Sequence, residues 1–109
     1  MGLTKNELYT AAQNETAQLA KTLGHPARIA ILQHLAKTKG CINGDLVQEI
    51  GLAQATVSQH LRELKQVGLI QGTIEGVSMN YCINPAKWQQ ARTLMLRLFE
   101  DLAPENSCC

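Results

Sequence analysis

The apolar residues of this chain change period at Gly68. Ahead of it, Val57, Leu61, Leu64 and Val67 recur at three- and four-residue steps, the spacing of a helix with one packing side. Beyond it, Leu69 to Ile74 and Val77 to Ile83 read as two strands around Glu75-Gly76, a short turn of the hairpin-forming kind. In the second strand Val77, Met79, Tyr81 and Ile83 face one way while Ser78, Asn80 and Cys82 face the other, the alternation of a half-buried strand. A helix that ends on a glycine and runs at once into a small hairpin constrains the fold strongly. The two strands must complete the core beneath that helix.

The flanking sequence is helical. A first apolar pattern covers roughly Lys5 to Leu23, with Leu8, Ala12, Leu19 and Leu23 at helical spacing and Gly24 placed to end it as a left-handed cap. His25-Pro26 restarts the chain, since proline suits the first turn of a helix, and Ile29, Leu32, Leu35 and Ala36 carry that helix to about Thr38. Lys39-Gly40 is a turn. A short helix follows from about Asn43 or Gly44 to Ile50, with Asn43 as its cap, Asp45 near its positive end and Gly51 closing it. Asn84-Pro85 opens a last helix to about Leu102, in which Trp88, Ala91, Met95, Leu98 and Leu102 form one apolar stripe. Ala103 to Cys109 is expected to be a mobile tail.

The order is helix, helix, helix, helix, hairpin, helix: a mainly α domain with a small β-hairpin. With 109 residues there is room for one domain only, spanning 1–109. The short helix, the three-residue turn and the helix over Leu52 to Gly68 make a helix-turn-helix, and the hairpin after it makes the winged form.

The outward side of that second helix is unusual for a surface helix, which ordinarily carries Glu and Lys toward solvent. Gln54, Ala55, Ser58, Gln59, Arg62 and Lys65 gather away from the apolar stripe, with Thr56 in the same first turns. Amide and hydroxyl groups come first and cations only later. Short uncharged donors and acceptors such as Gln54, Ser58 and Gln59 suit base edges in a major groove, and Arg62 and Lys65 suit phosphates at its wall. Net charge is +1, so bulk electrostatics neither require nor exclude such a partner. Its distribution is uneven. Thr16 to Gly44 carries Lys21, Arg28, Lys37 and Lys39 without an acid, while Glu100, Asp101 and Glu105 crowd the end.

On three segments, LGHPARIAILQHL, GDLVQEIGLAQATVSQHLRELKQVGLI and YCINP, the chain resembles the ArsR-type family of bacterial winged-helix repressors from about Leu19 to Trp88. The resemblance implies a homodimer joined through its first and last helices. It implies too that the dimer sits on a pseudo-palindromic, double-stranded operator and is released by an inducer. A two-fold dimer would set its reading helices about 34 to 36 Å apart, in successive major grooves.

The chain departs from that family in three places. Ala53 stands where a serine or aspartate often caps the reading helix, a loss of typically ~1 kcal/mol. From Gln66 to Ala86 there is no Lys or Arg, so a wing contact must come from Thr73, Ser78, Asn80 or the backbone. The region that holds a CxC metal site in some relatives reads CINGD, and Asn84 to Leu102 contains no histidine, so both familiar metal sites are broken.

Four cysteines remain: Cys41, Cys82, Cys108 and Cys109. A cytosolic chain with an apolar core needs no disulfide staples, so all four are expected as thiols. The vicinal pair Cys108-Cys109 could take a soft centre such as As(III) or a soft metal ion as inducer, with Cys41 or Cys82 as a third ligand. A redox-sensitive pair, or no thiol role at all, are the alternatives. No cofactor is required. His60 is expected to be a satisfied structural histidine rather than a ligand.

Neither a secretory signal nor an apolar run of the ~18 residues a membrane span needs is visible, which points to the cytoplasm and to no membrane partner. A winged-helix module that docks protein on the same polar face is the rival function. An enzyme is the poorest fit, because the sequence offers no nucleophile and base, carboxylate pair or phosphate-binding glycine loop.

Overall fold

The computed structural model describes residues 5–38, 41–43, 51–73 and 80–102. Its elements run α1 (Lys5–Leu8), α2 (Ala11–Leu23), α3 (Pro26–Lys37), β1 (Cys41–Asn43), α4 (Gln54–Gln66), β2 (Ile70–Thr73), β3 (Asn80–Ile83) and α5 (Pro85–Asp101).

The expected first helix is two. Thr10 is extended, its hydroxyl accepting from the Gln13 N–H at 3.0 Å while the Gln13 side chain accepts from the Thr10 N–H at 2.9 Å. This reciprocal pair satisfies a helix start, so it begins α2 afresh instead of letting α1 continue. Gly24 ends α2 with φ −79°, which corrects the expected left-handed cap. The cause lies two residues on: Pro26 forces His25 into extended backbone, at φ −140° and ψ 129°, so the chain turns without help from the glycine. Pro26 then opens α3, with His25 Nδ1 accepting from the Ala27 N–H at 3.0 Å. Within α3 it is Ala27, Ile31, Leu32 and Leu35 that are buried; Ile29 and Ala36, expected inside, are exposed.

The helix expected over 44–50 and the hairpin turn over 74–79 lie outside the described residues, as does the tail from Ala103. Asn43, expected to cap that helix, is the last residue of β1. This strand makes the hairpin a three-stranded antiparallel sheet in the order β1-β3-β2. Its register sets Cys41 opposite Cys82, Ile42 opposite Tyr81 and Asn43 opposite Asn80. On the other edge of β3, Ile70 faces Ile83 and Gly72 faces Tyr81. Gly72 has φ +125°, and a Cβ there would meet the Asn80 carbonyl oxygen and come within 2.8 Å of the Tyr81 Cα. Only glycine lets the two strands approach so closely.

The core gathers one side of every major element: Leu19 of α2, Ile31, Leu32 and Leu35 of α3, Val57, Leu61 and Leu64 of α4, then Leu69, Ile70, Tyr81 and Ala91. Gly68, at φ +86°, ends α4 and delivers Leu69 and Ile70 into this core. The expected α5 stripe is covered over only half its length. Ala91 is buried, with Trp88, Leu94 and Met95 packed partly against the core, but Leu98 is 38% exposed and Leu102 70%. Leu96 and Phe99 are exposed beside them, so the far end of α5 runs past the apolar surface that the described residues provide.

Candidate nucleic-acid interface

Three fully buried side chains, Val57, Leu61 and Leu64, fasten α4 to the core from one side. That leaves Gln54, Ala55, Thr56, Gln59, Arg62 and Lys65 exposed. Ser58, assigned to the same outward group from the sequence, is buried, and its place on the helix explains why. At about 100° per residue it stands only about 60° from Leu61, on the shoulder of the packed stripe.

The exposed side is already internally bonded. Gln59 Nε2 donates to Glu63 Oε1 at 3.1 Å, and Arg62 Nη1 donates to Gln59 Oε1 at 3.2 Å. Both halves of the Gln59 amide are therefore held by residues of the next turn. Lys65 is turned to a second task. Its Nζ donates to the Gly72 carbonyl oxygen at 2.7 Å and so ties α4 to β2.

A further tie holds the opposite shoulder. His60 is buried, and its Nδ1 accepts from Arg28 Nε at 3.1 Å, while Arg28 Nη1 donates to the Thr22 carbonyl oxygen at 3.0 Å. The His25 ring lies against the His60 ring with centroids 4.4 Å apart. Burial, then the neighbouring His25 and Arg28, hold the His60 pKa below its ordinary value of 6.5, with Glu63 pulling the other way. A neutral imidazole is what this geometry requires, since protonated Nδ1 could not accept from Arg28. His60 is thus the structural histidine expected. Sequence reasoning missed the Arg28 and Lys65 ties: a lone arginine or lysine carries no signal of its distant acceptor.

At the other end, Ala53 is extended and makes no side-chain cap, so the first N–H groups of α4 face outward at the positive end of the helix. On the wing, Gln71, Thr73 and Asn80 are exposed, while Ser78 lies outside the described residues.

Of the cysteines expected as thiols, Cys82 is a correction: it is disulfide-bonded. β1, too short to register as a periodic pattern, was likewise not anticipated, and it sets Cys41 opposite Cys82 in the sheet. Cys108 and Cys109 lie outside the described residues. Among the described residues there is no cluster of three or more His, Cys, Asp or Glu side chains that could hold a metal ion. Nor, among them, is any helix long and apolar enough to cross a membrane.

Comparison with known proteins gives this geometry a context. Residues 25–71 match a family described as bacterial regulatory protein, arsR family. The chain is 31% identical over 97 residues to the biofilm growth-associated repressor of Xylella fastidiosa, covering 89% of this chain and 83% of that one. It is 34% identical over 73 residues to the transcriptional repressor PagR of Bacillus anthracis, covering 67% and 73%. Among solved structures, that of Mycobacterium tuberculosis Rv0081 is similar with a TM-score of 0.57 at 29% identity, over 85% of this chain and 97% of that one.

Proposed function

Since the chain belongs to the arsR family of bacterial regulatory proteins, DNA-binding transcriptional regulators and not enzymes, we propose that it is a homodimeric cytoplasmic repressor whose α4 reads a pseudo-palindromic operator. The observation that carries this reading is the exposed ridge of α4, where Gln54, Thr56 and Gln59 lead and Arg62 follows, held rigidly from behind by three buried aliphatic side chains. Gln54, Thr56 and Gln59 meet base edges, Ala55 offers its methyl group to a thymine, and Arg62 meets a phosphate. Lys65 contributes a second phosphate contact through donors left over from its bond to Gly72. The wing adds little, having only Gln71, Thr73 and Asn80 as exposed polar side chains among its described residues, and no cation.

The dimer forms through the helices at the two ends of the chain. Leu98, Phe99 and Leu102 on α5 and Leu8 and Tyr9 at α1 are exposed, an amount of apolar surface that a monomeric protein seldom leaves open. Two-fold pairing covers it and repeats α4 at the spacing of successive major grooves.

A gel shift on duplex DNA from upstream of the gene that encodes the chain tests the reading. A retarded complex that the same unlabelled duplex competes away, and a scrambled duplex of equal length does not, is the expected result. Equal competition by both duplexes would reject sequence-specific reading, and no complex at low salt would reject DNA binding altogether.

A further inference from the structure

Between α2, the last turn of α4 and the first half of α5 lies a cavity of about 440 Å³ that opens to the surface. Small organic molecules bind in cavities of about 300 to 1,000 Å³. Leu19, Val67, Ala91 and Leu94 supply its apolar lining, and Glu15, Glu63 and Lys87 its charges. Among the described residues, the side chains of Glu15, Gln18, Lys87 and Gln90 have no hydrogen-bond or ion-pair partner. Polar groups that converge on an apolar wall without satisfying one another are the pattern of a binding site.

The charges are sorted along the cavity. Lys87 stands in the first turn of α5 with its alkyl chain over Gly68, where an added Cβ would lie 3.3 Å from Lys87 Cγ. Gly68 follows the last turn of α4, which carries Glu63, so a cation and an anion together mark this end. Glu15 marks the other end. It also borders the surface beyond the cavity with Thr93 and Leu94, and Leu94 is about 10 Å from Lys87 along the helix axis.

We infer that this cavity binds a basic α-amino acid of the lysine type, and that the bound ligand lowers the affinity of α4 for DNA. The α-carboxylate meets the Lys87 ammonium, and the α-ammonium meets Glu63 at the negative end of α4. The alkyl stem covers Leu19 and Ala91, and the distal ammonium reaches Glu15. Two carboxylates and one ammonium on the protein thus face two ammonium groups and one carboxylate on the ligand. The dimer proposed above uses Leu98, Phe99 and Leu102 at the far end of α5, so the cavity lies within one protomer.

Glu63 joins the cavity to the reading helix. Its Oε1 accepts from Gln59 Nε2 at 3.1 Å, one of the two bonds that hold the Gln59 amide. A ligand ammonium competes for the same carboxylate, and Gln59 loses that hold. The ligand-bound helix is less pre-organised and binds the operator more weakly.

The regulatory half of this inference rests on the DNA-reading role of α4, whereas the binding half does not, and the two are measured separately. Binding of L-lysine, L-norleucine, which lacks the distal ammonium, and cadaverine, which lacks the carboxylate, to the full-length protein is followed by ligand-observed NMR titration. Expected are saturable binding of L-lysine and binding weaker by a factor of about 10 or more for the other two. Glu15→Gln should abolish the preference for L-lysine over L-norleucine, and Lys87→Met the preference over cadaverine. Each should leave the other preference in place, which a general loss of folding would not do. Saturating L-lysine should weaken operator binding by a factor of about 5 or more in the wild type but not in Glu63→Gln, whose side-chain carbonyl still accepts from Gln59. No binding of L-lysine at millimolar concentration, or equal binding of L-norleucine or cadaverine, overturns the site. Unchanged operator affinity with L-lysine bound overturns the regulation. Absence of DNA binding with and without L-lysine defeats the reading of α4 itself, and the NMR titration still decides the cavity.

Discussion

At the scale of single residues, burial decides what the sequence could not. His60 and Ser58 lie on opposite shoulders of the stripe formed by Val57, Leu61 and Leu64, and both are buried. Helical periodicity assigns residues to sides but not to depth, so it places Ser58 outward. For His60 periodicity suffices, because an imidazole beside a packed edge ordinarily finds a partner, here Arg28. Its lowered pKa has a direct consequence for stability. The unfolded chain takes up a proton as pH falls through 6.5, whereas the folded chain resists until a lower pH, so the contribution of neutral His60 is complete above that value and declines below it. Thermal unfolding followed between about pH 7.5 and pH 5 should show Tm falling with acid, and falling less steeply in His60→Gln, whose side-chain carbonyl still accepts from Arg28. Parallel declines in the two proteins would remove His60 from that account.

Among elements, long periodic ones were legible and short or locally capped ones were not. The apolar repeat of α4 and the Pro26 and Asn84-Pro85 starts marked their helices clearly. The break at Thr10 was hidden because a capping box inside an apolar repeat leaves the repeat intact. β1, at three residues, is too short for any alternation to be read. It exists because β3 offers it a second edge, which is information held elsewhere in the chain. The start of α4 supports a prediction. Ala53 occupies the N-cap in extended backbone and makes no cap, so Ala53→Asp supplies an acceptor for the free N–H groups and a favourable charge at the positive end. Urea unfolding should show a gain of ~1 kcal/mol. If α4 reads DNA as proposed, the added carboxylate should also weaken that binding by repelling phosphates. An unchanged unfolding midpoint would mean that solvent already serves those groups.

For the whole molecule, the sequence carried the winged-helix order but not how much of it one chain can cover. The α5 stripe is continuous in the sequence, but its outer half lies exposed, Leu98 by 38% and Leu102 by 70%, with Phe99 beside them exposed by 64%. Periodicity shows that a face is apolar, not what lies against it. If a second copy covers it, Phe99→Asp should shift sedimentation from dimer toward monomer and reduce operator affinity, because two half-sites are then no longer bound together. Sedimentation identical to wild type would place the interface elsewhere. The most direct measurement is equilibrium binding of wild type, Gln59→Ala and Arg62→Ala to an operator duplex and a panel of its single-base variants, at several salt concentrations. Gln59→Ala should cost ~1–3 kcal/mol on the operator and lose discrimination at one base position, while Arg62→Ala should weaken binding to every duplex alike and flatten the salt dependence. Wild-type affinity and selectivity in both variants would contradict the assignment of this helix as the part that reads DNA.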